Sequence, residues 1–376
     1  MTELHTPASV DLIDALAQLD RFPAVKAIRH QRGKVVDATQ GSYDRLFDPA
    51  LPGLTLGERL RVAQTICELS GSTALQQHYA QQLAQLADKA PSNPAREAAL
   101  QHFATLLTNK PVEGDRHSID ALLAAGLQPP EIIALAQLIA FLSFQVRVVA
   151  GLKALTDLGD DLLAAPAATA AGETFVHPHL LPKPGEVLRI NGFTSETLGW
   201  KAWVPVLQLE QATPEQLAIL EASHPSAKTS DYYLALIHQP QILQERSVVF
   251  NAIMYAPGGL SRAERELVSA VVSCINGCVY CASVHAQRFE QLAKRNDVIA
   301  QVFENPHTAG TNAREKALVQ FAIDLTEAPN QLSGERLQAL RAAGLSHQEI
   351  LDALHAAAIF AWANRLMLNL GEAVHP

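Results

Sequence analysis

The chain has 376 residues, 48% of them apolar, which is too long for one ordinary hydrophobic core and predicts two globular domains. Its net charge of −9 argues against nucleic acid as a partner, because contact with phosphates requires a basic surface. Its four cysteines are too few and too clustered for a secreted disulfide scaffold.

The N-terminal segment, residues 1–20, is acidic and lacks the charged-then-apolar pattern of a signal peptide. The most apolar run, residues 132–144, is shorter than a membrane span and is followed by Arg147, so we interpret it as a buried helix. These patterns predict a soluble, cytoplasmic protein that does not contact membranes.

An internal repeat relates the two halves of the chain. The matches share one offset of 218 residues: 95–108 with 313–326, 121–132 with 339–350, Phe144 with Trp362, and Arg147 with Arg365. Chance similarity between helices rich in Ala and Leu gives scattered matches, whereas this alignment runs without a gap for more than fifty residues.

Upstream, residues 51–83 resemble residues 256–289 at an offset of 206 or 207, so the second copy carries about eleven extra residues between its helices. The corresponding positions of the first copy are the following: Ser72 and its neighbours opposite a cysteine pair, His78 opposite His285, and Arg59 or Leu60 opposite Glu266. The first copy therefore lacks the cysteines.

Apolar residues recur at spacings of three and four in both copies, which predicts an all-α fold. Gly126 and Gly344 are placed to end helices, and Pro129 to begin one. Residues 164–196 are rich in Pro, Gly and small side chains, which predicts a linker between domains at 1–163 and 197–376. After it, Thr213 and Pro214 have the residue types of an N-cap and a first helical position.

The second copy contains a group of reactive side chains at a regular spacing: Glu266, Cys278, Cys281 and His285. Asn276 and Gly277 form a turn signal, so Cys278 is expected to begin a helix, with Cys281 and then His285 one turn further on. A helix N-terminus favours the thiolate, and a histidine on the same face can exchange protons with it. Glu266 can reach this group only if the two helices fold side by side.

Other interpretations of the same residues stay open. The two cysteines can be buried apolar residues, or can bind zinc with His285, although a structural zinc site needs four ligands. Glu266 can lie on a solvated helix face. Tyr280 and Asn276 are candidates for supporting roles in the site, and Tyr280 can equally be a wall residue.

The motif Glu-x11-Cys-x2-Cys-x3-His resembles the active-site signature of the alkylhydroperoxidase D (AhpD-like) branch of the carboxymuconolactone decarboxylase superfamily. The sequence around the motif resembles the "peroxidase-related" members of this branch. The resemblance covers roughly residues 200–373 well and extends more weakly to residues 10–155. It implies two tandem AhpD-like domains of antiparallel helices, of which the N-terminal one is degenerate, and assembly into dimers or higher oligomers.

The resemblance also implies thiol-dependent peroxide reduction. Cys281 would be the peroxidatic thiolate, Cys278 the resolving thiol, and His285 with Glu266 the proton relay. No bound cofactor or metal is implied, and an external dithiol, such as a lipoyl-bearing protein, would reduce the disulfide. The best-known member has a histidine inside its Cys-x-x-Cys motif, where Tyr280 stands here.

Two other functions fit the same motif. One is a general thiol–disulfide oxidoreductase that does not act on peroxide. The other is an oligomeric scaffold whose site is vestigial, as the first copy shows that the cysteines can be absent.

Overall fold

The computed structural model describes residues 11–87, 93–159 and 175–376. The helices of the first half are α1 Leu12–Leu16, α2 Pro23–His30, α3 Gly33–Leu46, α4 Leu56–Leu69, α5 Thr73–Gln85, α6 Pro94–Asn109, α7 Arg116–Ala124 and α8 Pro129–Thr156. Those of the second half are α9 Pro214–Ser223, α10 Asp231–Leu236, α11 Pro240–Met254, α12 Arg262–Ile275, α13 Val279–Ala293, α14 Asp297–Glu304, α15 Ala313–Glu327, α16 Gly334–Ala342 and α17 His347–Asn369. The predicted all-α fold is confirmed.

Strands are limited, among the described residues, to two short antiparallel ribbons. β1 (Arg189–Ile190) pairs with β2 (Phe193–Thr194), and β3 (Gly199–Ala202) pairs with β4 (Gly371–Val374). The first ribbon turns at Asn191 and Gly192, which both have positive φ, as a tight hairpin requires. Strands this short leave no alternating pattern, which is why the sequence did not predict them.

Part of the predicted linker packs on the second half of the chain. Residues 164–174 lie outside the described residues, whereas the β1–β2 hairpin packs against α13 and α14. The Phe193 ring stacks on Phe303 at a centroid distance of 5.6 Å, and Asn191 Nδ2 donates to the Glu304 carbonyl at 2.9 Å. This part of the segment therefore covers the helices near the site.

The helix boundaries follow the capping signals of the sequence. Thr213 is the N-cap of α9 and forms a capping box with Gln216, and Pro214 is its first residue. Gly126 and Gly344 follow α7 and α16 with φ of 88° and 82°, and Pro129 begins α8. These five predictions are confirmed.

The apolar run of the first half lies in the middle of α8. This helix is long and apolar enough to cross a membrane, but its most apolar window is 100% buried within the fold. It is therefore the core helix that the sequence predicted.

The repeat is present as five pairs of helices: α4 with α12, α5 with α13, α6 with α15, α7 with α16, and α8 with α17. α14 is the insertion that changes the offset between the copies. Side-chain contacts repeat as well, since Arg96 Nε contacts Glu58 at 2.8 Å and Arg314 makes the equivalent contact with Glu264.

The two copies contact each other through their matched helices, α8 and α17. Phe144 and Trp362, which are equivalent residues, lie side by side with ring centroids 5.7 Å apart. α3 likewise packs against α11, the helix that precedes α12 in the second copy. The molecule is thus built around a pseudo-two-fold axis.

Candidate active site

The turn between α12 and α13 brings the cysteine pair to the start of a helix. Asn276 caps α12, Gly277 has φ of 73°, and Cys278 is the N-cap of α13, with its amide donating to the Ser273 carbonyl at 2.8 Å. This is the Schellman arrangement, in which the left-handed residue is usually glycine. The predicted turn and helix start are confirmed.

The two cysteines are buried and are present as free thiols. The Cys281 side chain is among the causes of the raised pKa of Cys278, so the two thiols are neighbours. Burial and the neighbouring Cys281 raise the pKa of Cys278 well above its ordinary value, while the Cys281 amide and the Asn364 side chain act to lower it. Cys278 is therefore held as a thiol, and its proton must be removed before it can act as a nucleophile.

Glu266 and His285 form a buried pair. α12 and α13 pack side by side, and His285 Nδ1 hydrogen bonds to Glu266 Oε2. Burial alone would raise the pKa of Glu266, but the charge and hydrogen bond of His285, followed by those of Arg262, lower it overall. Glu266 therefore remains ionised and orients the imidazole ring. Cys281 lies one helical turn before His285 and is also buried.

The sequence analysis missed two residues near Glu266, namely Arg262 and Tyr255. Arg262 contacts Glu266 Oε1 from one turn earlier in α12, and its guanidinium lies 4.0 Å from the centroid of the Tyr255 ring. The i, i+4 spacing of Arg262 and Glu266 is a signal that could have predicted the pair. The Tyr255 contact crosses a loop and leaves no such signal.

Aromatic side chains lie near His285 and the dithiol. The rings of Phe360 and His285 meet in a T-shaped arrangement with their centroids 4.4 Å apart. Tyr232 is buried, and its hydroxyl has no hydrogen-bond partner among the described residues. Burial raises the pKa of Tyr280, and the charge of Cys281 adds to this effect, so the tyrosine lies near that cysteine. Tyr280 is half-buried, and its role in the site stays a prediction.

Asn276 supports Cys278 indirectly. Its Nδ2 donates to Asn364 Oδ1 at 2.9 Å, and Asn364 Nδ2 donates to Ser273 Oγ at 3.1 Å. Asn364 also interacts with the Cys278 side chain. The sequence analysis missed Asn364 because it lies on α17, almost ninety residues further along the chain.

The equivalent region of the first copy has no dithiol. The turn after α4 repeats the turn after α12 at an offset of 206, with Gly71 in place of Gly277 and the Ser72 amide bound to the Cys67 carbonyl. At that offset the site positions are occupied by Leu60 for Glu266, Ser72 for Cys278, Leu75 for Cys281 and Tyr79 for His285. The match of His78 to His285 was wrong by one residue, because Tyr79 and not His78 lies on the buried face of α5.

No group of three His, Cys, Asp or Glu side chains in the described parts of the chain is placed to hold a metal ion. The zinc interpretation of the motif therefore gains no support from this geometry.

Comparisons with known proteins give a family match for part of the chain and similar solved structures. The carboxymuconolactone decarboxylase family matches residues 240–324, which include Glu266, Cys278, Cys281 and His285. A solved structure from Ralstonia eutropha JMP134, described as an alkylhydroperoxidase AhpD core and a peroxidase-related protein, is 27% identical with a TM-score of 0.38, covering 43% of this chain and 85% of its own. Another peroxidase-related protein, from Silicibacter sp. TM1040, is 24% identical with a TM-score of 0.37, covering 44% and 91%. No curated protein matches the chain.

Proposed function

Since residues 240–324 belong to the carboxymuconolactone decarboxylase family, we propose that this AhpD-like protein is a thiol-dependent peroxidase that reduces alkyl hydroperoxides. The observation that carries the proposal is the buried Glu266–His285 pair beside the dithiol of Cys278 and Cys281. A histidine oriented by a carboxylate is the arrangement that activates a thiol.

In the first step, Cys281 loses its proton to His285, and the thiolate attacks one oxygen of the peroxide. The O–O bond breaks, an S–O bond forms to give a sulfenic acid, and the alkoxide takes a proton from His285 and leaves as an alcohol. Because Nδ1 of His285 is bound to Glu266, Nε2 is the ring nitrogen that exchanges these protons.

In the second step, the Cys278 sulfur attacks the sulfur of the sulfenic acid. The S–O bond breaks, the hydroxide leaves as water with the proton of Cys278, and a Cys278–Cys281 disulfide forms. One peroxide and two thiols thus give one alcohol, one water and one disulfide. An external dithiol, for example a lipoyl group, then exchanges with the disulfide, restores both thiols and is itself oxidised.

The rest of the proposed function concerns the reactants, the compartment and the assembly. The dithiol itself carries the electrons, so the reaction needs no bound cofactor. The partners are a small peroxide and a dithiol reductant in the cytoplasm, where thiols stay reduced. The protein acts as a homo-oligomer, and nucleic acid and membranes have no part in the reaction.

Peroxide consumption in the presence of dihydrolipoamide or dithiothreitol tests the proposal. We expect Cys281→Ser to abolish turnover, and His285→Gln to slow it by about 100-fold or more, the usual range for loss of a general acid–base residue. Cys274→Ser, which changes a buried cysteine of α12 outside the motif, is the matched control and keeps full activity.

If neither wild type nor Cys281→Ser consumes peroxide with any of several dithiols, the peroxidase function is rejected. Turnover of a disulfide substrate without peroxide consumption would assign a thiol–disulfide oxidoreductase instead. A failure of mild oxidation to form the Cys278–Cys281 disulfide would indicate a scaffold with a vestigial site.

A further inference from the structure

A cavity of about 420 Å³ lies on the pseudo-two-fold axis, where the two halves meet. Both copies line it with equivalent residues: Arg147 and Arg365 from the core helices, and Thr108 and Thr326 from α6 and α15. Its size falls within the range of small-molecule sites. It is separate from the dithiol, although Asn276 at the end of α12 forms part of its wall.

The two arginines are buried and cross the interface in opposite directions. Arg147 Nη2 donates to the Thr326 carbonyl at 2.7 Å, and Arg365 Nη2 donates to the Thr108 carbonyl at 3.0 Å. Arg147 is 6% exposed and Arg365 is 2% exposed. Each guanidinium therefore holds the C-terminal end of a helix in the other half of the molecule.

These backbone contacts leave several N–H donors unused. A guanidinium has five N–H groups. Arg147 uses two of its groups, towards Ser143 and Thr326, and its buried Nε has no partner among the described residues. Arg365 uses three, towards Ala361, Leu107 and Thr108.

The charge of the pair is also incompletely balanced. Among the described residues, no carboxylate contributes to the pKa shift of either guanidinium. The two helix ends supply about half a negative charge each, so about one positive charge remains. Burial lowers the pKa of Arg147 to about 10, and burial followed by the charge of Arg147 lowers the pKa of Arg365. Two like charges thus line the same cavity.

We propose that this cavity binds a small anion whose carboxylate or phosphate group is held between Arg147 and Arg365. The planar fork of a guanidinium matches the oxygens of either group, and a buried cation pair gains most from a ligand that brings the missing charge. The site is single, because the axis passes through it and both copies contribute to the same anion.

Charged residues at the rim modulate the affinity. Lys110 and Glu113, both exposed, line the mouth of the cavity and pair with each other at 2.8 Å. Glu327 also lines it, but its carboxylate is half exposed and faces His307 at 3.4 Å. The rim therefore offers positions where the charge can be changed without disturbing the core.

Isothermal titration calorimetry with inorganic phosphate and with succinate tests the proposal, at constant ionic strength set with chloride. Wild type is expected to bind at least one of them at a stoichiometry of one, and comparison of the two separates a phosphate from a carboxylate ligand. Arg365→Gln and Arg147→Gln should each weaken binding by about tenfold or more, the value of one charged hydrogen bond. Arg336→Gln, which removes an exposed arginine elsewhere, is the matched control.

Rim variants decide the location of the site if the arginine variants fail to fold. Glu113→Gln should tighten binding and Lys110→Gln should weaken it, each by a few-fold. Absence of heat with both anions would overturn the proposal and leave the arginines as caps of helix ends. If binding is unchanged in every arginine and rim variant that folds, the anion binds elsewhere and the proposal is also overturned. Cys281→Ser should bind as wild type does, so this outcome is independent of peroxidase activity.

Discussion

Glu266 is a carboxylate with no exposed surface, and it stays ionised only because His285 and Arg262 bind it. Its lowered pKa has a consequence for stability. A carboxyl group whose pKa is lower in the folded state than in the unfolded state stabilises the fold above its unfolded pKa. That contribution is lost as the pH falls through the folded value.

We therefore expect Glu266→Gln to lower the free energy of unfolding at pH 7 by about 1.5–3 kcal/mol, the range for a hydrogen bond to a charged group. The difference between variant and wild type should shrink as the pH falls below the ordinary range of a glutamate. Denaturant unfolding at several pH values measures it. If the loss of unfolding free energy in Glu266→Gln stays constant down to acid pH, the ionisation of Glu266 does not contribute to stability.

Glu290→Gln is the matched control, because burial raises the pKa of Glu290 instead of lowering it. Its ionised form is disfavoured in the folded state, so the amide should be neutral or slightly stabilising at pH 7. The two variants remove the same charge, but only Glu266→Gln should be destabilising.

At the scale of elements, the α12–α13 turn joins the two halves of the molecule. Gly277 has φ of 73°, and a methyl group added there would lie 2.5 Å from the Val112 side chain of the first half. The backbone that positions Cys278 is thus held against a residue of the degenerate copy. This contact gives that copy a structural role at the site.

Gly277→Ala should lower the free energy of unfolding by about 1–3 kcal/mol, from the left-handed backbone and the contact with Val112 together. Gly258→Ala is the matched control, because Gly258 has φ of 65° and no atom within 4 Å of the added methyl group. The difference between the two variants isolates the contact. If both cost the same in denaturant unfolding, Val112 does not constrain the turn.

The elements show how far the sequence predicts this structure. Capping residues such as Thr213 and Gly344 act within one turn of chain, so their positions could be predicted from local spacing. His78 was misplaced because neighbouring residues of an Ala- and Gln-rich helix align almost equally well at two offsets. Only the turn at Gly71 fixes the correct one. The Arg147–Arg365 cavity could not be predicted, since it exists only where the two halves meet.

At the scale of the whole molecule, the interface between the copies is part of the core. Trp362 is fully buried, contacts Phe141 and Phe144, and donates from Nε1 to Gln137 Oε1 at 2.8 Å. All three partners belong to α8 of the first half. If either α8 or α17 unfolded, a large apolar surface of the other helix would be exposed to water, which is unfavourable. The two halves should therefore unfold together.

Two substitutions of buried phenylalanine test this cooperativity. Phe144→Ala removes a ring that contacts Trp362, whereas Phe103→Ala removes an equally buried ring from α6 of the first half. Each should lower the free energy of unfolding by about 3–5 kcal/mol. Tryptophan fluorescence reports on the second half, because Trp200, Trp203 and Trp362 all lie there.

If the halves form one cooperative unit, Phe103→Ala will shift the fluorescence transition and the circular-dichroism transition by the same amount, although the substitution lies in the other half. If they unfold independently, Phe103→Ala will leave the fluorescence midpoint at its wild-type value, and only Phe144→Ala will move it. Equal shifts in both variants would show that the degenerate copy stabilises the fold around the dithiol.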